Sequence, residues 1–310
     1  MRRMTTLSSM IFPRSGLSRL SVISARWARC CFIFTTIDVP GAILTNAFGI
    51  NSPGNIVGLY IDTTAREHGF LLAAGSFSTI DVPGAVRTEA RGINNSGHIV
   101  GGYIDTAGRD HGFDLAAGIF STIDFPGAIA TEAFGINDPR HIVGFYLDAT
   151  GRSHGYLLAA GSFSTIDFPG AFRTEADGIN NPGHIVGNYS DTAGQTHGFL
   201  LAAGTFTTID FPGALATAAF GINDPGHIVG AYVDTAGMEH GFLLAHRRFC
   251  TIDVPGAILT SAFGINSPRH IVGLYTDATG MTHGFSSTPC HKNDDDDDDC
   301  GNDRPGGLAP

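Results

Sequence analysis

Apolar positions between residues 34 and 285 come in short runs, each closed by Gly, Pro, Asn or Asp, and the whole pattern repeats every 43 residues. Asp38, Asp81, Asp124, Asp167, Asp210 and Asp253 keep this spacing without an insertion, as do His68, His111, His154, His197, His240 and His283. The Gly-Ile-Asn triplets beginning at Gly49, Gly92, Gly135, Gly178, Gly221 and Gly264 follow it too, so the chain is a six-repeat array. In the second repeat, residues 88–94, 98–104, 111–116 and 120–124 are too short for helices and are separated by turn chemistry at Asn95–Gly97, Gly108 and Gly118. They predict four antiparallel strands, named a to d, before Pro126 and Gly127 break the ladder. In the a–b turn, Gly54, Gly97, Gly183 and Gly226 give way to Arg140 and Arg269. Arginine resists positive φ, so those two turns are expected to be of a different type.

Four-stranded units of this length are the size of propeller blades. The array enters at a d-type strand, residues 34–38, and leaves after a c-type strand, residues 283–286, so the first strand is expected to complete the last blade. Such a latch removes the exposed edges of an open array. The expected fold is all-β: a six-bladed β-propeller over residues 32–288, an N-terminal extension over 1–31 and an acidic disordered tail over 289–310.

Composition narrows the function. Gly 42 and Pro 15 fit a turn-rich chain, and 43% hydrophobic residues are enough for a core. No stretch approaches the roughly 18–20 apolar residues of a membrane-spanning helix. Six Arg and no acid before residue 32, and seven Asp against Lys292 and Arg304 after 288, leave −12 on the repeats out of −11 overall. A body this acidic argues against nucleic acid as a partner. The first 31 residues superficially fit a transit peptide, but no secretory signal is visible. The five cysteines make no disulfide framework: Cys250 fills a slot held elsewhere by Ser or Thr and reads as a small-residue swap, while Cys290 and Cys300 could pair across the tail in an oxidising compartment, though nothing in the sequence requires it.

In an up-and-down blade the b–c turn and d–a loop emerge on one face, here called the loop face, and polar residues concentrate there. Asp105, Asp148 and Asp191 at the ends of strands b should neighbour His111, His154 and His197 at the starts of strands c, in structural ties or in repeated ligand or metal sites. Asp81, Asp124 and Asp167 precede Pro and are expected to accept turn N–H groups, with hydroxyl or cation binding as the alternative. The His98 class is expected on the opposite face, capping turns or exposed. Arg87, Glu89, Glu132, Arg173 and Glu175 depart from the repeat symmetry and are the better binding candidates; the three glutamates are expected to form an acidic arc near the channel mouth. No cofactor is called for; the Asp-x-x-Gly turns suggest calcium but lack its full ligand spacing.

The string Gly-Ile-Asn-x-x-Gly-His-Ile-Val-Gly-x-Tyr-x-Asp-x-x-Gly-x-x-His-Gly-Phe, followed by Thr-Ile-Asp-x-Pro-Gly-Ala, resembles the repeat of the bacterial HAF family of extracellular repeat proteins. The family reads His-Ala-Phe where this chain has His-Gly-Phe. The resemblance implies an extracellular or envelope protein without a defined activity. Three functions stay open: a monomeric propeller binding glycans or surface polymers multivalently, a scaffold for another protein, and a hydrolase or lyase at the channel mouth.

Overall fold

A computed structural model describes residues 31–290. The expectations for residues 1–30 and for the tail beyond 290, Cys300 included, lie outside the described residues, while the last strand (Thr282–Pro289) carries the propeller one residue past its expected end at 288. Within them the chain forms twenty-four strands in six four-stranded antiparallel sheets. Blade 1 runs β2 (Leu44–Ile50), β3 (Ile56–Ile61), β4 (Glu67–Ala73) and β5 (Ser76–Ile80), and blades 2 to 5 repeat it. Blade 6 is β22 (Leu259–Ile265), β23 (Ile271–Thr276) and β24 (Thr282–Pro289), completed by β1 (Phe32–Ile37) on its outer edge. The chain is thus a six-bladed propeller latched by its own first strand.

The blades are held by seams of apolar side chains rather than by one central core. Val57 and Ile80 of blade 1 pack with Ala90, Ile93, Ile99 and Phe113 of blade 2. The closing seam is built alike, with Ile37 and Val272 of blade 6 against Ala47, Ile56 and Phe70 of blade 1. Each fully buried side chain of this kind contributes about 1.5–3 kcal/mol.

Every innermost strand carries a bulge one residue before its Gly-Ile-Asn triplet: Ala47 pairs with Gly58 and Gly49 with Val57, leaving Phe48 unpaired. Just beyond, neighbouring blades approach so closely that a Cβ on Gly49 would lie 2.6 Å from the carbonyl oxygen of Arg91. The Asn of the triplet then joins the blades. Asn51 Nδ2 donates to the Asn94 carbonyl, and the same bond passes through Asn137, Asn180, Asn223 and Asn266 back to Asn51. This buried hydrogen-bonded ring closes at 3.1 Å across 215 residues of sequence.

Three expectations are corrected. Cys290 bonds to Cys31 rather than Cys300, because the β1–β24 register pairs Phe32 with Pro289 and brings the next residues to a Cα separation of 5.3 Å. Cys250 is fully buried and also disulfide-bonded, so it is more than a small residue in a serine slot. The a–b turns do not change type at Arg140 and Arg269: both arginines adopt φ of 65° and 68°, and Arg140 N–H reaches the Asn137 carbonyl as Gly54 N–H reaches Asn51.

Candidate functional site

On the loop face, Asp105 ends strand b and His111 begins strand c, as the hairpin predicts, and His111 Nε2 lies 3.3 Å from Asp105 Oδ2. A closer partner comes from strand d: Asp124 Oδ1 sits 2.8 Å from His111 Nδ1. Tyr103 stacks on the imidazole and its hydroxyl meets Thr122. His154 bridges Asp167 and Asp148 in the same way, His68 bridges Asp81 and Asp62, and His197 bridges Asp210 and, at 3.7 Å, Asp191. The b-strand carboxylates also cap their turns, since Asp105 Oδ1 accepts the N–H groups of Ala107 and Arg109. The backbone bond from Arg66 leads the causes holding Asp62 down at about 2, and the one from Arg109 those lowering Asp105.

Asp81, Asp124 and Asp167 therefore do not cap the loop that follows them. That loop's N–H is taken by a buried threonine, as Val82 N–H donates to Thr88 Oγ1, which leaves the aspartates for histidine. In His68, His111, His154 and His240 both imidazole nitrogens are hydrogen-bonded and tie strands b, c and d, whereas in His197 and His283 Nδ1 binds the d-strand aspartate and the b-strand carboxylate stands off at 3.7 and 3.6 Å. Among the described residues no group of three or more His, Cys, Asp or Glu is arranged to hold a metal ion.

The acidic arc is also corrected. Glu89 is 4% and Glu132 2% exposed, so neither opens onto a channel mouth. Glu89 is clasped by Arg87 at 2.9 Å and Arg91 at 2.6 Å, and Arg87 reaches on to Glu67 at 3.2 Å. Glu132 lies against Gly102 of the preceding blade, where a Cβ would come within 3.3 Å of its carboxyl carbon. Burial first, and the Glu89 charge second, push its carboxyl up to about 8. Glu175 accepts the Ser153 hydroxyl at 3.3 Å instead of converging with the other two. The bulged residues form a contact chain around the axis, with Phe220, Phe263 and Phe48 ring to ring and Arg91 lying over Phe48 and Phe134. In blade 4 that slot holds Asp177, whose carboxyl burial raises well above its usual range while Asn188 donates to it.

The open surface of the loop face lies at the seams between blades. At each seam the residue preceding strand c of one blade faces the d–a loop leading into the next. At the blade 1–2 seam a cleft of about 590 Å³ is lined by Thr64–Glu67 and Ala85–Arg87. Arg66 donates to the Ala85 carbonyl at 3.3 Å, and Val86 stands 55% exposed at the rim. At the blade 3–4 seam Arg152 donates to the carbonyls of Phe172 and Ala171, Phe172 is 65% exposed, and Arg173 donates to Ser190. Ile43, Ile129, Leu215 and Ile258 hold the slot of Val86 and Phe172 at the other seams, also exposed.

The opposite face is where the Asn ring sits. In the His98 class, His98 gives its backbone N–H to Asn94 Oδ1, is half-buried and sets its imidazole 3.3 Å from Asp114, while His227 is buried with its Nδ1 3.3 Å from Asn223 Nδ2 of its turn. Ser52, Asn95, Asp138, Asn181 and Asp224 form a second, open polar arc across blades 1 to 5. The asparagines were not among the sequence candidates, although their presence in all six Gly-Ile-Asn triplets is the signal that marks them.

No protein-family model matches the sequence, and no curated protein matches it. Solved structures do share the fold. The fucose-recognising six-bladed propeller lectin of Aleuria aurantia superposes with a TM-score of 0.51 at 11% identity, over 81% of this chain and 93% of that one. AofleA of Arthrobotrys oligospora gives 0.52 at 11% over 85% and 91%, and TolB of Acinetobacter baumannii gives 0.54 at 11% over 76% and 64%. At such identities the likeness is one of fold: this chain is a six-bladed β-propeller whose backbone resembles that of a fungal lectin.

Proposed function

We propose that the protein is a non-enzymatic glycan-binding propeller of the cell exterior or envelope, which holds saccharides or a surface polymer through the seams of its loop face. The observation that carries this reading is the blade 1–2 cleft, where Arg66 and Arg87 offer donors, Glu67 an acceptor and Val86 an exposed apolar rim. Pockets that fix a ligand with a few polar groups beside apolar contact have this make-up. The lectin from Aleuria aurantia has the same fold and recognises fucose, which supports carbohydrate as the ligand class. Repetition of the seam around the ring favours polymers or clustered glycans, because weak sites gain avidity when engaged together.

The Cys31–Cys290 bond and the bonded Cys250 support an oxidising location, since disulfides are rare in reducing compartments. The resemblance to the HAF repeat points the same way. The buried, ion-paired state of Glu89 and the enclosure of Glu132 disfavour an acid–base site.

A glycan array probed with the oxidised full chain, with and without a calcium chelator, tests the proposal. Retention on a defined group of glycans that survives the chelator is the expected result. A blank array would sink the glycan reading and favour a protein partner on the exposed apolar loop residues.

A further inference from the structure

The six seams repeat in backbone but not in chemistry. Of the ten arginines among the described residues, five lie on the loop face, and all five fall at the three consecutive seams joining blades 1 to 4. The residue preceding strand c is Arg66, Arg109 and Arg152 at these seams, but Gln195, Met238 and Met281 at the remaining three. The difference is functional in kind, because a guanidinium presents a fork of five N–H donors and a methionine none.

Each arginine seam holds three elements together. At the first, Arg66 stands beside the Glu67–Arg87 ion pair and the exposed Val86. The second offers Arg109 and Asp110 with Ile129, which is 51% exposed. At the third, two N–H groups of Arg152 hold the loop that carries Phe172, beside Ser153 and Arg173. A pyranose needs donors and acceptors for its hydroxyls and an apolar surface for its C–H face; all three seams supply arginine donors and an apolar surface, with Glu67 and Asp110 as acceptors at the first two. Phe172 is the only aromatic residue in its slot, and a flat ring covers more of a sugar face than a branched aliphatic chain.

The other seams lack part of this set. Gln195 directs its amide to the Leu215 carbonyl at 3.4 Å. Met238 and Met281, 44% and 47% exposed, add apolar surface beside Ile258 and Ile43 but no donor.

We infer that saccharide binding is confined to the three arginine-bearing seams of blades 1 to 4, with the Phe172 seam the tightest. This rests on the glycan reading above and adds the location, the valency and the donor that it requires.

The test is calorimetric titration of the full chain with a monovalent oligosaccharide retained on the array. About three sites per chain are expected, falling by one with each of Arg66→Met, Arg109→Met and Arg152→Met. Phe172→Ala should weaken one site about tenfold and spare the others. Met238→Arg, whose seam already carries Glu239, should add a site, which a fold defect cannot mimic. Circular dichroism of each variant controls for folding. Six equivalent sites, or binding that survives the triple Arg→Met variant, would overturn the inference while leaving the glycan reading intact. If no saccharide binds the unaltered chain, the glycan reading itself fails, so the two failures are distinguishable.

Discussion

Glu132 Oε2 is buried without a hydrogen-bond partner, and its carboxyl is pushed up to about 8. A folded-state pKa above the ordinary carboxyl value means that the folded chain keeps a proton which the unfolded chain releases. Stability is therefore full below about pH 4.5 and is lost as pH rises toward 8. Glu132→Gln should remove that loss, leaving the variant more stable than the parent by on the order of 4 kcal/mol at pH 8 and nearly equal at pH 4.5. Urea midpoints at the two pH values check this, and parallel pH profiles would refute it. Glu89, Glu132 and Glu175 were visible in the sequence as departures from the repeat, but their surroundings were not. A period of two puts Glu89 and Arg91 on one face of their strand, where they do pair, but the burial of Glu89 and the reach of Arg87 to Glu67 depend on the neighbouring blade, which no local pattern places. The strut aspartates show a similar limit. Asp105 lies next to His111 in any tight hairpin, whereas Asp124 reaches the same ring through the c–d register.

At the scale of elements, the four strands per repeat and their turns were legible because Gly, Asn and Pro punctuate every run. The c–d hairpins use two residues at positive φ, such as Ala117 at 49° and Gly118 at 81°, which is the turn that matches strand twist. Blade 5 places His246 and Arg247 there, at 49° and 66°. A side chain in this region costs roughly 1–2 kcal/mol that glycine avoids. Arg247→Gly is therefore expected to stabilise the protein by about 1 kcal/mol, read as a raised denaturant midpoint. An unchanged or lowered midpoint would mean that the arginine side chain offsets the strain. Arg140 and Arg269 show why the a–b turn was misread: local preference favours another turn, but Asn137 and Asn266, anchored in the ring, accept the same backbone bond in every blade.

For the whole molecule, ring closure was written in the phase of the array, one d strand too early and one d strand short. The disulfide that seals it was not, since five cysteines permit many pairings and only the β1–β24 register selects Cys31 with Cys290. A bond spanning 259 residues constrains the unfolded chain strongly, and replacing both cysteines by serine should cost about 4–5 kcal/mol. Denaturant unfolding of the Cys31→Ser, Cys290→Ser double variant measures this, and no loss would show that β1 latches blade 6 unaided. The two faces divide the work: the Asn-ringed face binds blade to blade, and the loop face leaves open seams between rigid struts. The most direct measurement of that division is hydrogen–deuterium exchange of the oxidised full chain with and without the glycan retained on the array. Slower exchange at residues 62–66, 82–87, 105–109, 125–130, 148–152 and 168–173 is the predicted result, with residues 50–55 and their counterparts in the Asn ring unchanged. Protection centred on the Asn-ringed face instead would contradict the account.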